Sequence, residues 1–267
     1  MDPRPSSADD RSARIAVVTG ASGAIGAATA RRLVEGGWQV ALVARDGERL
    51  QGLAAELGPG AFPVVADATS SQALDSAISA ASEQLGPPTA LVHAVGSTLL
   101  RPAHAIKDEE FDEVISTNLT SAFYALRAFV RAVPRGTPAA ALFFSTAATR
   151  VGLVNHEAIA AAKGGVDGLV TAAAATYAAR GIRVNALAPG LVRSELTRRL
   201  VENPATLQAS EWMHPLGRVG DGEDVAGMAA FLVDAEASWI TGQVIAVDGG
   251  LSSVKLPPPM DRLPRAG

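Results

Sequence analysis

The chain contains no cysteine, which excludes disulfides, thiolate nucleophiles and cysteine-ligated zinc. Its four histidines, His93, His104, His156 and His214, include no pair at the helical spacing of metal ligands, so no metal site is expected. Aromatic residues make up only 4%, and Tyr124 and Tyr177 fall in helix-like stretches where they read as packing residues. No stretch approaches the ~20 apolar residues of a membrane span. Met1 to Arg14 carries Asp2, Asp9 and Asp10 and has no apolar signal core, which makes a cytoplasmic protein the default expectation. A net charge of −4 gives no electrostatic reason to expect nucleic acid or an anionic membrane as partner. What is abundant is apolar: 48% of 267 residues against 19% charged, enough to bury a sizeable core.

The most informative stretch is 15–26. Ile15 to Val18 is a short apolar, largely β-branched run, suited to a strand buried on both faces of a parallel sheet. A small-residue turn, Thr19 to Gly26, follows, and Ala27 to Val34 reads as a helix. Strand, glycine turn and helix make a phosphate-binding arrangement: Gly20 permits the tight turn, and Gly26 permits close helix–strand packing.

The rest of the chain alternates in the same way. Strands are expected at 39–44, 61–66, 90–95, 139–144, 182–188 and 244–247. Helices are expected at 46–57, 70–85, 108–133, 158–180 and 221–233. Strict alternation argues for one α/β domain, a Rossmann-type doubly wound parallel sheet spanning 14–254. Residues 1–13, rich in Pro, Ser and Asp, and 255–267, with Pro257 to Pro259, read as tails. Ligands of such sheets bind past the carboxyl ends of the strands. At the end of the second strand stand Ala44 and Arg45, where an enzyme preferring NAD usually carries an acidic residue. A guanidinium there binds a ribose 2′-phosphate, which points to NADPH; otherwise Arg45 is a solvated charge opening the next helix.

Several motifs occur in a fixed order. They are Thr19 to Gly26, Asn118 in Ser-Thr-Asn-Leu, Arg183 to Gly190, Pro215 to Gly220 with Glu223 to Ala226, and Thr241 through Gly250. In these the chain resembles the short-chain dehydrogenase/reductase family, in its ordinary-length, ketoreductase-like branch. The resemblance implies a nicotinamide cofactor held by Gly20, Ser22, Ala24, Ile25, Gly26, Asp67, Ala68, Gly96, Lys163, Pro189, Gly190 and Val192. Asp67 resembles the acidic residue that contacts the adenine. The family's catalytic set is Asn, Ser, Tyr and Lys, with Tyr four residues before Lys and Ser thirteen before Tyr. The matching positions are Asn118, Thr146 (after Ser145), Ile159 and Lys163. Isoleucine cannot transfer a proton, whereas the threonine hydroxyl still donates. His93-Ala94-Val95-Gly96 stands where the family has Asn-Asn-Ala-Gly, and His93 reads as a hydrogen-bonded structural residue.

His156 lies seven residues before Lys163, the tyrosine-to-lysine spacing of the family's enoyl-reductase branch. It is a substitute general acid or simply an exposed polar residue. Glu157 beside it is the weaker candidate for that role. Residues 191–215 match the family's substrate lid, in which Trp212 and Met213 form an apolar pocket wall or pack the lid down. The resemblance also implies a homodimer or homotetramer through the helices of 108–133 and 158–177. Three functions follow: an NADPH-dependent carbonyl or enoyl reductase with an altered proton donor; a decayed cofactor-binding subunit assembled with an active paralogue; or a non-redox enzyme of cyclase, dehydratase or aldol type.

Overall fold

The computed structural model describes residues 14–255; the expected tail over 1–13 and nearly all of 255–267 lie outside the described residues. Seven strands form one sheet in the order β3-β2-β1-β4-β5-β6-β7, every neighbouring pair parallel. They are β1 (Ile15–Thr19), β2 (Gln39–Ala44), β3 (Ala61–Val65), β4 (Ala90–His93), β5 (Ala139–Phe144), β6 (Ile182–Pro189) and β7 (Val244–Val247). The helices are α1 (Ala24–Glu35), α2 (Gly47–Leu57), α3 (Ser71–Leu85), α4 (Asp108–Ile115), α5 (Ser121–Ala132), α6 (Glu157–Tyr177), α7 (Arg198–Val201), α8 (Pro204–Met213) and α9 (Gly222–Val233).

Alternate residues of each strand face opposite layers. Val17, Ala41, Val43, Leu91 and Phe143 pack with residues of α3, α5 and α6. Ala16, Val18, Val40, Leu42 and Val92 pack with residues of α1, α2 and α9. This explains why the inner strands are continuous apolar runs. Side-chain caps set several helix starts: Asp46 accepts from the Arg49 amide and Ser70 from that of Ala73, each closing a first turn.

The structure corrects several sequence expectations. Helix α1 begins at Ala24, not Ala27, so Gly26 lies in its first turn. Strand β4 ends at His93, where the chain leaves the sheet toward Gly96. The amphipathic stretch 108–133 is not one helix: a π turn over Ser116–Thr120 separates α4 from α5. The stretch 191–215 contains two helices, α7 and α8, that periodicity did not suggest. Finally, residues 157–180 are long and apolar enough to span a membrane by length and composition alone. In the fold that segment is a core helix, with Val166, Val170, Ala173 and Ala174 buried against the sheet.

Candidate active site

The strand order reverses between β1 and β4, and the crevice above this switch point is the natural ligand site. Gly20 has φ +72°, and a Cβ there would lie 2.5 Å from the Ala94 carbonyl oxygen. The turn and the strand leaving β4 therefore touch backbone to backbone, which only glycine allows. A Cβ at Gly26 would collide with the Gly20 carbonyl, so helix α1 rises directly from the turn. No side chain caps α1 and no acidic residue stands in its first turn, which leaves the N–H groups of Ala24, Ile25 and Gly26 available to an anion. Ser22 is half-buried in the same turn.

Past β2, Arg45 is exposed and forms no ion pair among the described residues, while the neighbouring Asp46 is engaged as the α2 cap. Past β3, Asp67 accepts hydrogen bonds from the Thr69 backbone at 2.9 Å and hydroxyl at 2.8 Å. These bonds hold its carboxyl below the ordinary range, and Arg45 adds a smaller attraction. Ala68 beside it is buried.

The π turn projects Asn118 inward, fully buried. Its Oδ1 accepts from the Ser97 backbone at 3.1 Å, and its Nδ2 donates to Ser97 Oγ at 2.9 Å and to the Val114 carbonyl at 3.0 Å. Such turns often mark functional positions. A Cβ on Gly96 would lie 3.2 Å from Asn118 Oδ1 and 3.6 Å from Lys163 Nζ, so these two polar groups converge under an exposed glycine. Lys163 itself is buried, and burial pushes its pKa down to about 8 against the pull of Asp167 one turn on. Ser97 escaped the sequence reading, because nothing local signals its pairing with a residue 21 positions away.

His93 is a contrast. Its Nδ1 lies 2.7 Å from Thr19 Oγ1 and its Nε2 3.0 Å from Ser121 Oγ. Because Ser121 gives its own proton to the Thr117 carbonyl, Nε2–H donates to Ser121 and Nδ1 accepts from Thr19. Burial pushes this imidazole down to about 3, with the Lys163 charge adding to the effect. His93 is neutral and structural.

Thr146 Oγ1 accepts from the Ala148 amide at 3.3 Å, which leaves its hydrogen free. Ser145 is buried, with Oγ 3.5 Å from Thr149 Oγ1. Ile159 is buried in an apolar cluster with Val114, Ala158 and Ala162, against which Leu99, Leu100, Ile106 and Ile115 pack. His156 stands at the N-cap position of α6 without capping it by its side chain; its Nδ1 donates to the Val154 carbonyl at 2.8 Å, and it follows Asn155 at φ +64°. Seven residues of helix separate it from Lys163 by roughly 10 Å along the axis, so the two make no direct contact.

Pro189 ends β6, Gly190 follows, and Val192 bridges to Gly220 beneath the lid. His214 joins α8 to this loop: Nδ1 donates to the Ser210 carbonyl at 2.6 Å and Nε2 accepts the Leu191 amide at 3.2 Å. A cavity of about 230 Å³ lies beside it, lined by Gly190, Val192, Arg218 and Asp248 among others. Its charged groups are already engaged, Arg218 with Asp224 and Asp248 with Gly250 and Ser252. Trp212 and Met213 are not among its walls; Trp212 is 55% and Met213 40% exposed.

A family model described as Enoyl-(Acyl carrier protein) reductase matches residues 20–252. The chain belongs to the short-chain dehydrogenase/reductase family. Galactitol 2-dehydrogenase (L-tagatose-forming) of Cereibacter sphaeroides is 38% identical over 241 residues, covering 88% of this chain and 93% of that one. A protein of Xanthobacter autotrophicus described as inactive 2-(S)-hydroxypropyl-CoM dehydrogenase 2 is 37% identical over 229 residues, 84% of this chain and 100% of its own length. Among solved structures, a variant of actinorhodin polyketide ketoreductase with NADPH matches with TM-score 0.85 at 28% identity, covering 91% of this chain and 98% of that one. Short-chain dehydrogenase/reductases bind a nicotinamide cofactor, and the glycine turn, the open start of α1 and the crevice over β1 and β4 fit such a group.

Proposed function

We propose that this short-chain dehydrogenase/reductase is NADPH-dependent and reduces a carbonyl or enoyl group of a small molecule without a tyrosine proton donor. One observation carries the reading. Asn118 and Lys163 converge at Gly96, while Ile159, which the resemblance sets at the family's tyrosine position, is buried among apolar side chains. Arg45 supports the choice of nucleotide, as an exposed cation past β2 that forms no ion pair among the described residues. Gly20, Ser22, Ala24, Ile25, Gly26, Asp67, Ala68, Gly96, Pro189, Gly190 and Val192 would line the nucleotide, with Lys163 toward its nicotinamide ribose. When bound, NADPH supplies a hydride.

The chain's own residues then do the following. Thr146 donates its free hydroxyl hydrogen to the substrate oxygen. Asn118, locked by Ser97, fixes the polar side of the cleft. Lys163 holds a proton at Nζ and releases it near neutral pH, burial having brought its pKa to about 8. His156 lies too far along α6 to replace it. The assembly belonging to this reading is a cytoplasmic homodimer or homotetramer.

A second reading rests on the Xanthobacter relative described as inactive: a nucleotide-binding subunit without turnover, paired with an active paralogue. Calorimetric titration with NADPH and with NADH tests both. Micromolar binding that favours NADPH and weakens about tenfold in Arg45→Ala is expected, as loss of a charge-assisted hydrogen bond predicts. NADPH oxidation in a carbonyl and enoyl panel then separates the reductase from the silent subunit. Absence of binding by either nucleotide contradicts both readings.

A further inference from the structure

Two histidines are buried, His93 and His214, and the reaction proposed above leaves His214 without a task. Its ring nitrogens hold opposite partners. The Ser210 carbonyl, 2.6 Å from Nδ1, can only accept, and the Leu191 amide, 3.2 Å from Nε2, can only donate. Together they admit one form of the ring, a neutral imidazole with its proton on Nδ1.

The two partners belong to different parts of the fold. Ser210 lies on α8, and Leu191 lies in the loop that leaves β6. On its far side that loop is tied to α9. The Leu191 carbonyl accepts from the Gly220 amide at 2.9 Å, and the Arg193 amide donates to the Gly220 carbonyl at 2.8 Å. Gly222 then opens α9 so close to α1 that a Cβ would stand 2.5 Å from the Ala24 carbonyl oxygen. On the α8 side the loop is held by His214 and by an exposed Arg193–Glu211 pair at 3.8 Å, which is the weaker tie. The ring has no room to swing aside. A Cβ on Gly190 would lie 2.6 Å from Nε2, and one on Gly249 would lie 3.6 Å from Cδ2. The imidazole is clasped between the loops that follow β6 and β7.

The charged groups around the ring are already engaged. Arg218 and Asp224, ahead of and within α9, pair with each other beside the cavity that His214 lines. Glu211 of α8 and Asp221 face Arg193. Asp248, after β7, is buried and accepts from Gly250 and Ser252. Burial pushes the Asp248 carboxyl up, but those bonds outweigh it and hold the group below its ordinary range, with a smaller attraction from a His214 charge.

We propose that His214 is a proton-operated positioning residue, which holds the Gly190–Val192 loop while neutral and releases it when protonated. A second proton must sit on Nε2, where it points at the N–H of Leu191. Two donors then face each other, the Leu191 bond is lost, and close packing on Gly190 drives ring and loop apart. Attraction to Asp248 favours the charged ring and so favours release. Because Gly190 and Val192 would line the nucleotide, acid weakens its binding. That consequence rests on the reductase reading, and the latch itself does not.

The test compares the full chain with His214→Gln between about pH 7 and about pH 5, where histidines ordinarily titrate. Glutamine offers the Leu191 amide a carbonyl acceptor that takes up no proton. The first readout needs no nucleotide: amide hydrogen exchange at Leu191, corrected for the intrinsic effect of pH. Protection is expected to fall about tenfold toward the acid end in the wild type and to stay level in His214→Gln. The second is calorimetric NADPH affinity, expected to fall about tenfold further in the wild type, since the 2′-phosphate and the other histidines titrate alike in both proteins. If the glutamine variant does not fold, ¹⁵N NMR of the wild-type histidines reads the same event. The expected result is an Nδ1-protonated His214 at neutral pH that gains its second proton within this range as the Leu191 amide shifts. Level protection at Leu191 in the wild type overturns the latch. So does NADPH affinity that falls equally in the two proteins. Protection that falls while neither nucleotide binds at any pH keeps the latch and overturns the reductase reading.

Discussion

Two basic side chains are buried in the same cleft, His93 from β4 and Lys163 from α6. His93 has a partner on each ring nitrogen and is neutral over the whole physiological range. Lys163 has neither a hydrogen-bond nor an ion-pair partner among the described residues. A satisfied buried base strengthens the fold and has little chemistry left to offer. An unsatisfied one costs stability until something bound supplies its partner. The difference traces to one position. A tyrosine at 159 would place a hydroxyl one helical turn from Lys163, and Ile159 places a hydrocarbon there instead.

The strongest way to break the contrast is to give Lys163 its missing partner. Ile159→Tyr is expected to raise NADPH oxidation with a responsive substrate by about 10²–10⁴-fold, the usual worth of a general acid. It is also expected to lose about 1–3 kcal/mol of stability from overpacking. Stopped-flow absorbance and thermal unfolding read the two effects.

Removing the satisfied base comes next. His93→Leu strands the Thr19 and Ser121 hydroxyls, and a loss of about 1–3 kcal/mol is expected by denaturant unfolding. The wild-type chain carries a matching pH signature. Because burial depresses His93 from 6.5 to about 3, the folded state binds fewer protons than the unfolded one between those values. Its contribution is full above about pH 6.5 and falls, as pH drops toward 3, by up to about 1.4 kcal/mol per unit. His93→Leu should flatten that slope.

Lys163→Met should act in the opposite direction. Deleting an unpaired buried amine is expected to raise stability near neutral pH by about 1–2 kcal/mol, or several degrees in thermal midpoint. A loss instead would mean that Lys163 has a partner in solution. The smallest effect is that of Asp167→Asn: it removes the group that favours the lysine charge and should lower the Lys163 pKa further.

Much of this architecture can be read from residue patterns. Runs such as Gln39–Ala44 and Ala139–Phe144 coincide with strands because inner parallel strands are apolar on both faces. The π turn at Ser116–Thr120 is invisible to periodicity, since one extra residue in a turn leaves the amphipathic pattern of 108–133 nearly intact. Helices α7 and α8 are short, and only the Asn203-Pro204 cap announces one of them. The roles proposed for Asn118, Thr146, Ile159 and Lys163 come from the family resemblance. The partners of His93, Ser97 and His214 do not, because each bond joins distant parts of the chain and only folding creates it.

The most direct measurement is the Lys163 titration itself, followed by NMR in chain carrying ε-¹³C lysine, where three lysines give a resolvable spectrum. A Lys163 resonance titrating near 8 is the result the account predicts. Titration in the ordinary lysine range near ~10.4 would contradict it, since the amine would then hold a partner that keeps it charged.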